Sequence, residues 1–303
     1  MVARLRISAL ERDGAFQELT KRPVVAWASI VLCCIGLGLF ISSTVACFRG
    51  LLSLSLAVIL NTLALYILFT PTHDAAHRAV AKSEFINYLV GSLSLFLWVP
   101  LASFPSYRWL HMQHHRFTNE QGDPDFYAGN GKWWTLPLRW LTIDLYQIIF
   151  FIRYSGRVKK SWPGVFLLWC LTGYVFYFAH LHHVLFEAVM LWLVPNRLNM
   201  MVLTFLLDYL PHYPHNVAQS DDHYRATSIR QGAEWLMTPL FVFHNYHLAH
   251  HLYPTLPFYR LTKIWRARET FHLSKNPLLV PAFNLKERRA SMPESVGLSS
   301  DPL

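Results

Sequence analysis

The stretch Val24–Phe48, VVAWASIVLCCIGLGLFISSTVACF, contains no charged residue. The hydrocarbon core of a bilayer is about 30 Å thick and needs about 20 apolar helical residues to cross it, so this stretch is long enough for one span. After Arg49 and Gly50 a second apolar stretch begins and covers Leu51–Pro71. The sequence therefore predicts two membrane-spanning helices joined by a tight turn.

The next apolar stretches are shorter or carry charge. Ile86–Ala102 is short for a span and has charged residues on both sides, which predicts a re-entrant or interfacial helix. Leu136–Ile152 includes Arg139 and Asp144, and a mixed stretch of this kind is typical of a helix that lies on the membrane.

Two more spans are predicted in the second half of the chain. The third starts near Pro163 and runs toward Pro195, and the fourth runs from Leu198 to Leu210, with the turn between them at Pro195–Asn199. Together these stretches predict an all-α integral membrane protein with four transmembrane helices and a helical cap on the cytoplasmic side.

The composition agrees with a membrane protein. The 303 residues are 53% hydrophobic and only 15% charged, whereas a typical soluble domain has about 25% charged residues. The net charge of +9 does not indicate a nucleic-acid partner, because the basic residues flank apolar stretches and form no single run. The four cysteines all lie in apolar stretches, which argues against a disulfide framework or a thiolate zinc site.

The basic residues also predict the orientation in the membrane. Five Lys or Arg residues precede the first predicted span, ten lie between the second and third spans, and ten follow the fourth. Only Arg49 and Arg197 fall in the turns on the other side. Since positive residues concentrate on the cytoplasmic side, both termini and the large middle loop are expected in the cytoplasm, and the membrane is expected to be a bacterial inner membrane.

Three regions follow from these predictions. Residues 1–22 form a basic cytoplasmic segment, residues 23–283 form the membrane domain, and residues 284–303 read as a disordered tail because they are polar.

The histidines are concentrated in three clusters on the side of the membrane that carries the basic loops. Residues three and four apart share one face of a helix, so each cluster can direct two or three imidazoles at one point. Three converging clusters offer more ligands than one ion accepts, which predicts two metal ions. The clusters are His73-Asp-Ala-Ala-His77, His111-Met-Gln-His114-His115 and His244-Asn-Tyr-His247-Leu-Ala-His250-His251, with Asp208-Tyr-Leu-Pro-His212 between the last two.

The ligand type limits the metal. Imidazole suits zinc, copper, iron and nickel, and the His-Glu-x-x-His pattern of zinc peptidases is absent from the sequence. Many imidazoles in a membrane favour a redox pair of iron ions. Two other classes stay open at this point: a zinc-dependent membrane hydrolase, and a non-catalytic membrane protein that stores or senses metal.

Carboxylates and amides near the clusters are candidates for a supporting role. A ligating imidazole usually donates its other N–H to such a group, which fixes the tautomer. His244 is either a tenth ligand or such a partner. The other candidates are Asp74, Asp123, Asp125, Asp208 and Asn245.

At these residues the chain resembles the membrane fatty acid desaturase superfamily. Its three histidine boxes are matched by His73–His77, His111–His115 and His247–His251, over a region of roughly residues 50–265. Asp208-x-x-x-His212 is similar to an Asn-x-x-x-His element of acyl desaturases, with Asp in place of Asn. In motif detail the chain looks most like bacterial carotenoid β-ring hydroxylases and related acyl desaturase-like enzymes.

The resemblance implies a non-haem di-iron oxidoreductase. Two ferrous ions would use O2 and two external electrons to attack a C–H bond of a long apolar lipid, and the electrons would come from a ferredoxin or a small cytochrome. Fatty acyl desaturation is the first expectation, with carotenoid β-ring hydroxylation and fatty acid decarboxylation to a terminal alkene as alternatives. The implied iron ligands are His73, His77, His111, His114, His115, His212, His247, His250 and His251.

Two further groups of residues have two interpretations each. Aromatic residues near the second box would line the substrate's approach or, as we favour, form an interfacial belt; they are Trp98, Phe104, Tyr107, Trp109, Trp133 and Trp134. Basic residues of the middle loop would dock an acidic electron donor or bind anionic lipid; they are Arg153, Arg157, Lys159 and Lys160.

Overall fold

The computed structural model describes residues 14–154, 156 and 159–287. This part of the chain is mostly helical, with one two-stranded parallel sheet. The helices in chain order are α1 Gly14–Thr20, α2 Trp27–Phe48, α3 Leu54–Ala76, α4 Glu84–Trp98, α5 Phe104–Phe117, α6 Phe126–Gly129, α7 Leu136–Leu141, α8 Ile143–Tyr154, α9 Trp162–Leu181, α10 Leu185–His212, α11 Glu234–Leu240, α12 His247–Leu252, α13 Leu261–Ala267 and α14 Glu269–Leu273, and the strands are β1 Ser228–Gln231 and β2 Leu278–Pro281.

The predicted terminal segments are described only in part. Residues 1–13 and 288–303 lie outside the described residues, so most of the predicted N-terminal segment and tail is among them. The first four residues of the predicted tail are described, and Glu287 in this stretch forms an ion pair with Arg225 at 2.8 Å.

Among the described residues, four helices are long and apolar enough to cross a membrane: α2, α3, α9 and α10. This confirms the predicted all-α, four-span integral membrane protein. The first two spans form the expected hairpin, and Gly50 in its turn has a φ of +69°, which glycine adopts without strain. The helices pack closely at Gly36, where an added Cβ would lie 2.6 Å from the Leu68 side chain.

The predicted boundary between the third and fourth spans was wrong. The turn lies at residues 182–184, where His183 has a φ of +58°, and the fourth span starts at Leu185. Pro195 lies inside α10, directly after the π-helical turn Val189–Leu193. A π turn shifts the backbone hydrogen bonds, so a proline that follows it does not end the helix.

Arg197 therefore lies in the middle of the fourth span and not in a turn, as had been expected. Its guanidinium binds the Asp144 carboxylate through two N–H donors, one of them at 2.9 Å. A third bond, from Nη1 to the carbonyl of Leu141, is 3.0 Å long. Arg197 therefore does not count toward the charge on the far side, and it pins the start of α8 to α10.

The middle region is helical but not as one continuous helix. The predicted helix Leu136–Ile152 is broken at Thr142 into α7 and α8, which the structure bends by 75°, as in a broken span or a re-entrant loop. The predicted re-entrant or interfacial helix corresponds to α4, which has 15 residues and is short for a span. Its first turn is capped by Ser83, whose hydroxyl accepts from the backbone N–H of Ile86.

The ends of α3 and α10 meet α5 and α12 at one end of the molecule. Beyond them, a second hydrophobic core holds the C-terminal part together around the fully buried Trp265. The strands β1 and β2 pair within this part, and α1 packs against α13. We call this region, residues 213–287 with α1, the cap. It covers the end of the span bundle at which the histidine clusters lie.

Candidate metal centre

The nine predicted histidines are positioned by four helices. His73 lies in the last turn of α3, and His77 is the residue at which that helix ends. α5 carries the second box, α12 carries the third, and His212 is the last residue of α10. Each helix brings its imidazoles to one face because of the spacing of three and four residues.

The structure brings all nine together into two groups. Within each group, one nitrogen of every imidazole lies within 4.8 Å of the others, which is close enough for one metal ion. The first group is His73, His77, His111, His115 and His250, and the second is His114, His212, His247 and His251. Each group takes members from at least three helices, which the sequence spacing alone could not assign.

The distances between facing nitrogens fit metal coordination. His77 Nε2 lies 2.8 Å from His111 Nε2, and His250 Nε2 lies 2.9 Å from His115 Nε2. In the second group, His247 Nε2 lies 3.0 Å from His212 Nε2. Two imidazoles bound at right angles to an ion, each at about 2.1 Å, place their nitrogens about 3 Å apart.

Two further observations support the fit. His73 Nε2 is buried, faces the first group and has no hydrogen-bond partner among the described residues, whereas buried polar atoms nearly always have a partner. Burial also lowers the pKa of His77 to about 3, and it lowers the pKa of His115 and His250 well below the usual range, with neighbouring histidines adding to the effect. These imidazoles are therefore neutral, which is the form that binds metal.

His114 has a carboxylate environment of its own. Its Nδ1 lies 3.0 Å from Asp123 Oδ1 and 3.4 Å from Asp125 Oδ2. Burial disfavours the imidazolium, but the two carboxylates outweigh burial and raise the pKa of His114. The Asp123 carboxylate also accepts from the backbone N–H groups of Asn119 and Asp125, which fixes its position. The carboxylates thus hold a proton on Nδ1, and a metal ion in the second group would displace the proton on Nε2.

The other predicted supporting residues divide into two sets. His244 lies outside both groups: its Nδ1 donates to the carbonyl of Val242 at 3.0 Å, and its Nε2 lies 3.4 Å from His73 Nδ1. This is the contact expected of a supporting residue. Asn245 is directed away from the histidines, since its amide donates to the carbonyl of Arg230.

The two remaining predicted carboxylates serve different purposes. Asp74 accepts from the Ser29 hydroxyl at 2.6 Å and from the backbone N–H of Phe258, so it joins α2 and the cap to the end of α3. Asp208 lines the cavity beside the second group. The described contacts of Asp74 include no ligating imidazole.

Two glutamines near the centre could not be found from the sequence. Gln147 of α8 donates to Asp125 Oδ1 at 2.5 Å, and Gln219 Oε1 lies 3.2 Å from His251 Nδ1. Neither glutamine belongs to a sequence motif. Each lies near the centre because of how its helix or loop is placed in the folded chain. Neither group includes the histidines at the end of α9 and in the turn that follows it, which are His180, His182 and His183.

An apolar cavity opens beside the two groups. Its walls include Phe69, Trp98, Tyr107 and Leu203 together with histidines of both groups. Tyr107 stacks on His111 with the rings parallel, and the Trp98 indole N–H donates to Thr72. Of the six aromatic residues singled out in the sequence, these two line the cavity, whereas Trp133 and Trp134 are exposed, as the interfacial belt predicts.

Comparison with known proteins identifies the family. The fatty acid desaturase family model matches residues 49–279. The chain belongs to the fatty acid desaturase family. It is therefore an integral-membrane oxidoreductase of the non-haem di-iron type, as the histidine boxes predicted.

Individual relatives span several reactions. A β-carotene ketolase of Paracoccus sp. (strain PC1) is 30% identical over 220 residues, which are 72% of this chain and 78% of the ketolase. A second β-carotene ketolase, from Paracoccus sp. (strain N81106 / MBIC 01143), is 30% identical over 197 residues, 64% of this chain and 72% of the ketolase. A dihydrorhizobitoxine desaturase of Bradyrhizobium elkanii is 26% identical over 235 residues, 66% of this chain and 63% of the desaturase.

Proposed function

We propose that this enzyme oxidises a C–H bond on the ring of a carotenoid with O2, using two iron ions held by the nine histidines. The observation that carries the oxidation is the pair of imidazole groups beside an apolar cavity. The carotenoid is supported by the two ketolases, which are 30% identical to this chain and are named for β-carotene.

The residues of the chain have separate roles in this proposal. The first group of five histidines and the second group of four would each hold one iron ion, and the ions when bound would supply the activation of O2. Asp123 and Asp125 hold the His114 proton on Nδ1, so that Nε2 stays directed at the second ion. Trp98 and Tyr107 would hold the substrate carbon beside the histidines and keep water away.

The overall reaction requires an external donor. One oxygen atom enters the C–H bond to give an alcohol, and the other leaves as water with two protons and two electrons from the donor. A second oxidation at the same carbon would give a ketone. We propose a ferredoxin or a small cytochrome as the donor. It would bind on the cytoplasmic side of the membrane, where both termini of the enzyme are also expected. Of the four basic residues suggested for docking, Arg157 lies outside the described residues.

Fatty acyl desaturation is the second candidate. The family description and the dihydrorhizobitoxine desaturase support it. The same site would remove two hydrogens from neighbouring methylenes, and both oxygen atoms would leave as water. The position of the substrate carbons relative to the ions decides between the two outcomes.

Expression in a host that makes β-carotene and supplies ferredoxin tests the proposal. We expect oxygenated carotenoids in pigment extracts, and none from the His114→Ala variant or from cells grown without O2. New double bonds in the fatty acids with unchanged pigments would support the second candidate instead. Volatile alkenes in the headspace would indicate decarboxylation. Unchanged pigments, lipids and headspace with iron-loaded protein would contradict the proposal.

A further inference from the structure

A large apolar groove lies on the membrane-facing side of the bundle, apart from the histidine cavity. It is formed by α2, α3, α10 and residues 239–242 of the cap, and its volume is about 660 Å³. Pockets of about 300–1,000 Å³ are typical of small-molecule sites. Leu63, Val202 and Leu240 are among its apolar lining residues. Its described lining residues include no Lys, Arg, His, Asp or Glu.

One polar side chain in this groove lacks a partner. Asn199 is fully buried, and neither its Oδ1 nor its Nδ2 has a hydrogen-bond partner among the described residues. The hydroxyl groups of Thr62 and Tyr66, which also line the groove, are used by the carbonyls of Val58 and Leu240. An amide that is buried in an apolar environment without partners destabilises the fold.

Asn61 is a second buried amide, and it differs from Asn199 in its hydrogen bonds. It is also fully buried, and it lies on α3 within the spans. Its Nδ2 donates to Thr44 and to the carbonyl of Leu191, and its Oδ1 accepts from Ser43. Asn61 therefore ties three helices together, whereas Asn199 ties none.

The groove is placed for a long ligand that also reaches the histidines. Tyr66 of α3 lines the groove, and Phe69, one turn further along the same helix, lines the histidine cavity. On α10, Val202 lines the groove and its neighbour Leu203 lines the cavity. Asn199 lies thirteen residues before His212, which is about 20 Å along the helix. The groove and the cavity therefore adjoin along α3 and α10.

We infer that the groove holds the body of the lipid substrate and that Asn199 binds an oxygen substituent on it, a hydroxyl or a carbonyl, remote from the carbon that is oxidised. This inference rests on the proposed oxidation of a long apolar lipid. A hydroxyl or carbonyl satisfies the amide without adding charge. A free carboxylate does not fit, because the groove offers no cation to pair with it.

The test compares β-carotene with its derivative that carries one ring hydroxyl, using the full-length enzyme in lipid nanodiscs. Binding is followed by the shift in carotenoid absorbance, so it does not depend on turnover. We expect the hydroxylated lipid to bind about tenfold more tightly than β-carotene, as for one good hydrogen bond. We also expect its oxidation on the ring that has no hydroxyl.

Asn199→Leu removes the amide at similar volume. We expect this variant to bind β-carotene as the wild type does and to lose the tenfold preference, with no loss of thermal stability. Asn61→Leu is the matched control, which we expect to lower thermal stability and to keep the preference. Ile59→Trp fills the groove, and we expect it to weaken binding of both carotenoids.

Failure of this inference and failure of the proposed function give different experimental results. Equal binding of the two carotenoids by the wild type overturns the inference whatever the variants do, and so does a preference that survives in Asn199→Leu. Tighter binding of the hydroxylated lipid without any oxidised product supports the groove and contradicts the proposed function.

Discussion

At the scale of single residues, one histidine of the second group, His114, is oriented by the carboxylates of Asp123 and Asp125. His114 Nδ1 donates a hydrogen bond to Asp123 Oδ1 over 3.0 Å. The Asp123 carboxylate is fixed in turn because it accepts from two backbone N–H groups. A partner of this kind fixes the orientation and tautomer of an imidazole, and its loss typically costs about 10-fold to 100-fold in metal affinity.

We therefore expect Asp123→Asn to weaken iron binding by about 10-fold to 100-fold, because an amide cannot hold the His114 proton on Nδ1 as a carboxylate does. Ferrous iron titration of the metal-free protein measures this. Asp222→Asn is the matched control, since Asp222 accepts from a backbone N–H two residues later, as Asp123 does. Equal iron affinity in both variants would contradict the role given to Asp123.

The residue scale is also where the sequence was most informative. Eight of the nine histidines were singled out by their spacing of three and four residues, which is a local property of a helix. His212 was included only because the Asp208-x-x-x-His212 element resembles one of the acyl desaturases. The supporting residues were predicted less well. Asn245 has no contact with the centre, and Gln219 was missed, because contacts with residues far along the chain depend on loop paths that no motif records.

At the scale of helices, the packing of α4 against α5 helps to position the second box. Gly91 of α4 faces Phe104, the first residue of α5, and an added Cβ would lie 2.2 Å from its ring. This close contact leaves no room for a side chain between the two helices, so we expect it to fix the position of α5 and of its histidines.

Gly91→Ala should displace α5 and lower stability by about 1–3 kcal/mol, as over-packing does. Thermal unfolding in detergent and the iron content after reconstitution measure the effect. Gly38→Ala is the control, because an added Cβ at Gly38 meets no atom within 4 Å. Full iron content and unchanged stability in Gly91→Ala would show that α5 does not depend on this contact.

The ion pair between Asp144 and Arg197 belongs to the same scale. Removal of one partner leaves a charge in a low-dielectric environment, so we expect Arg197→Met to lower stability by about 3–5 kcal/mol. The double variant Asp144→Leu with Arg197→Met leaves no such charge, and it should recover most of the loss. Thermal unfolding of both variants checks this. A double variant no more stable than Arg197→Met would contradict the view that the loss comes from the unpaired Asp144 carboxylate.

The boundary between the third and fourth spans shows the limit of sequence analysis at this scale. Pro195 predicted a turn because proline usually ends a helix. The structure keeps the helix intact with a π turn before the proline, and it places the turn at His183 instead. Neither the π turn nor the left-handed residue has a pattern that a single sequence reveals.

At the scale of the whole molecule, the histidine groups, the cap and the ends of α3 and α10 lie at one end of the bundle. The basic residues predict that this end faces the cytoplasm. Single cysteines in a cysteine-free background test the orientation, at Arg49 in the first turn and at Asp221 in the cap, both of which are exposed. We expect a membrane-impermeant maleimide added to intact cells to label Arg49→Cys and not Asp221→Cys. The reverse pattern would invert the proposed topology.

The central claim is that two metal ions lie between the nine histidines and that both are iron. The most direct test is the iron content of the purified protein, measured by mass spectrometry after anaerobic loading with ferrous iron in the presence of equal zinc. We predict two iron ions per chain, with little zinc, because each of the two imidazole groups is arranged to hold one ion. One iron ion or fewer per chain, or zinc in place of iron, would contradict it.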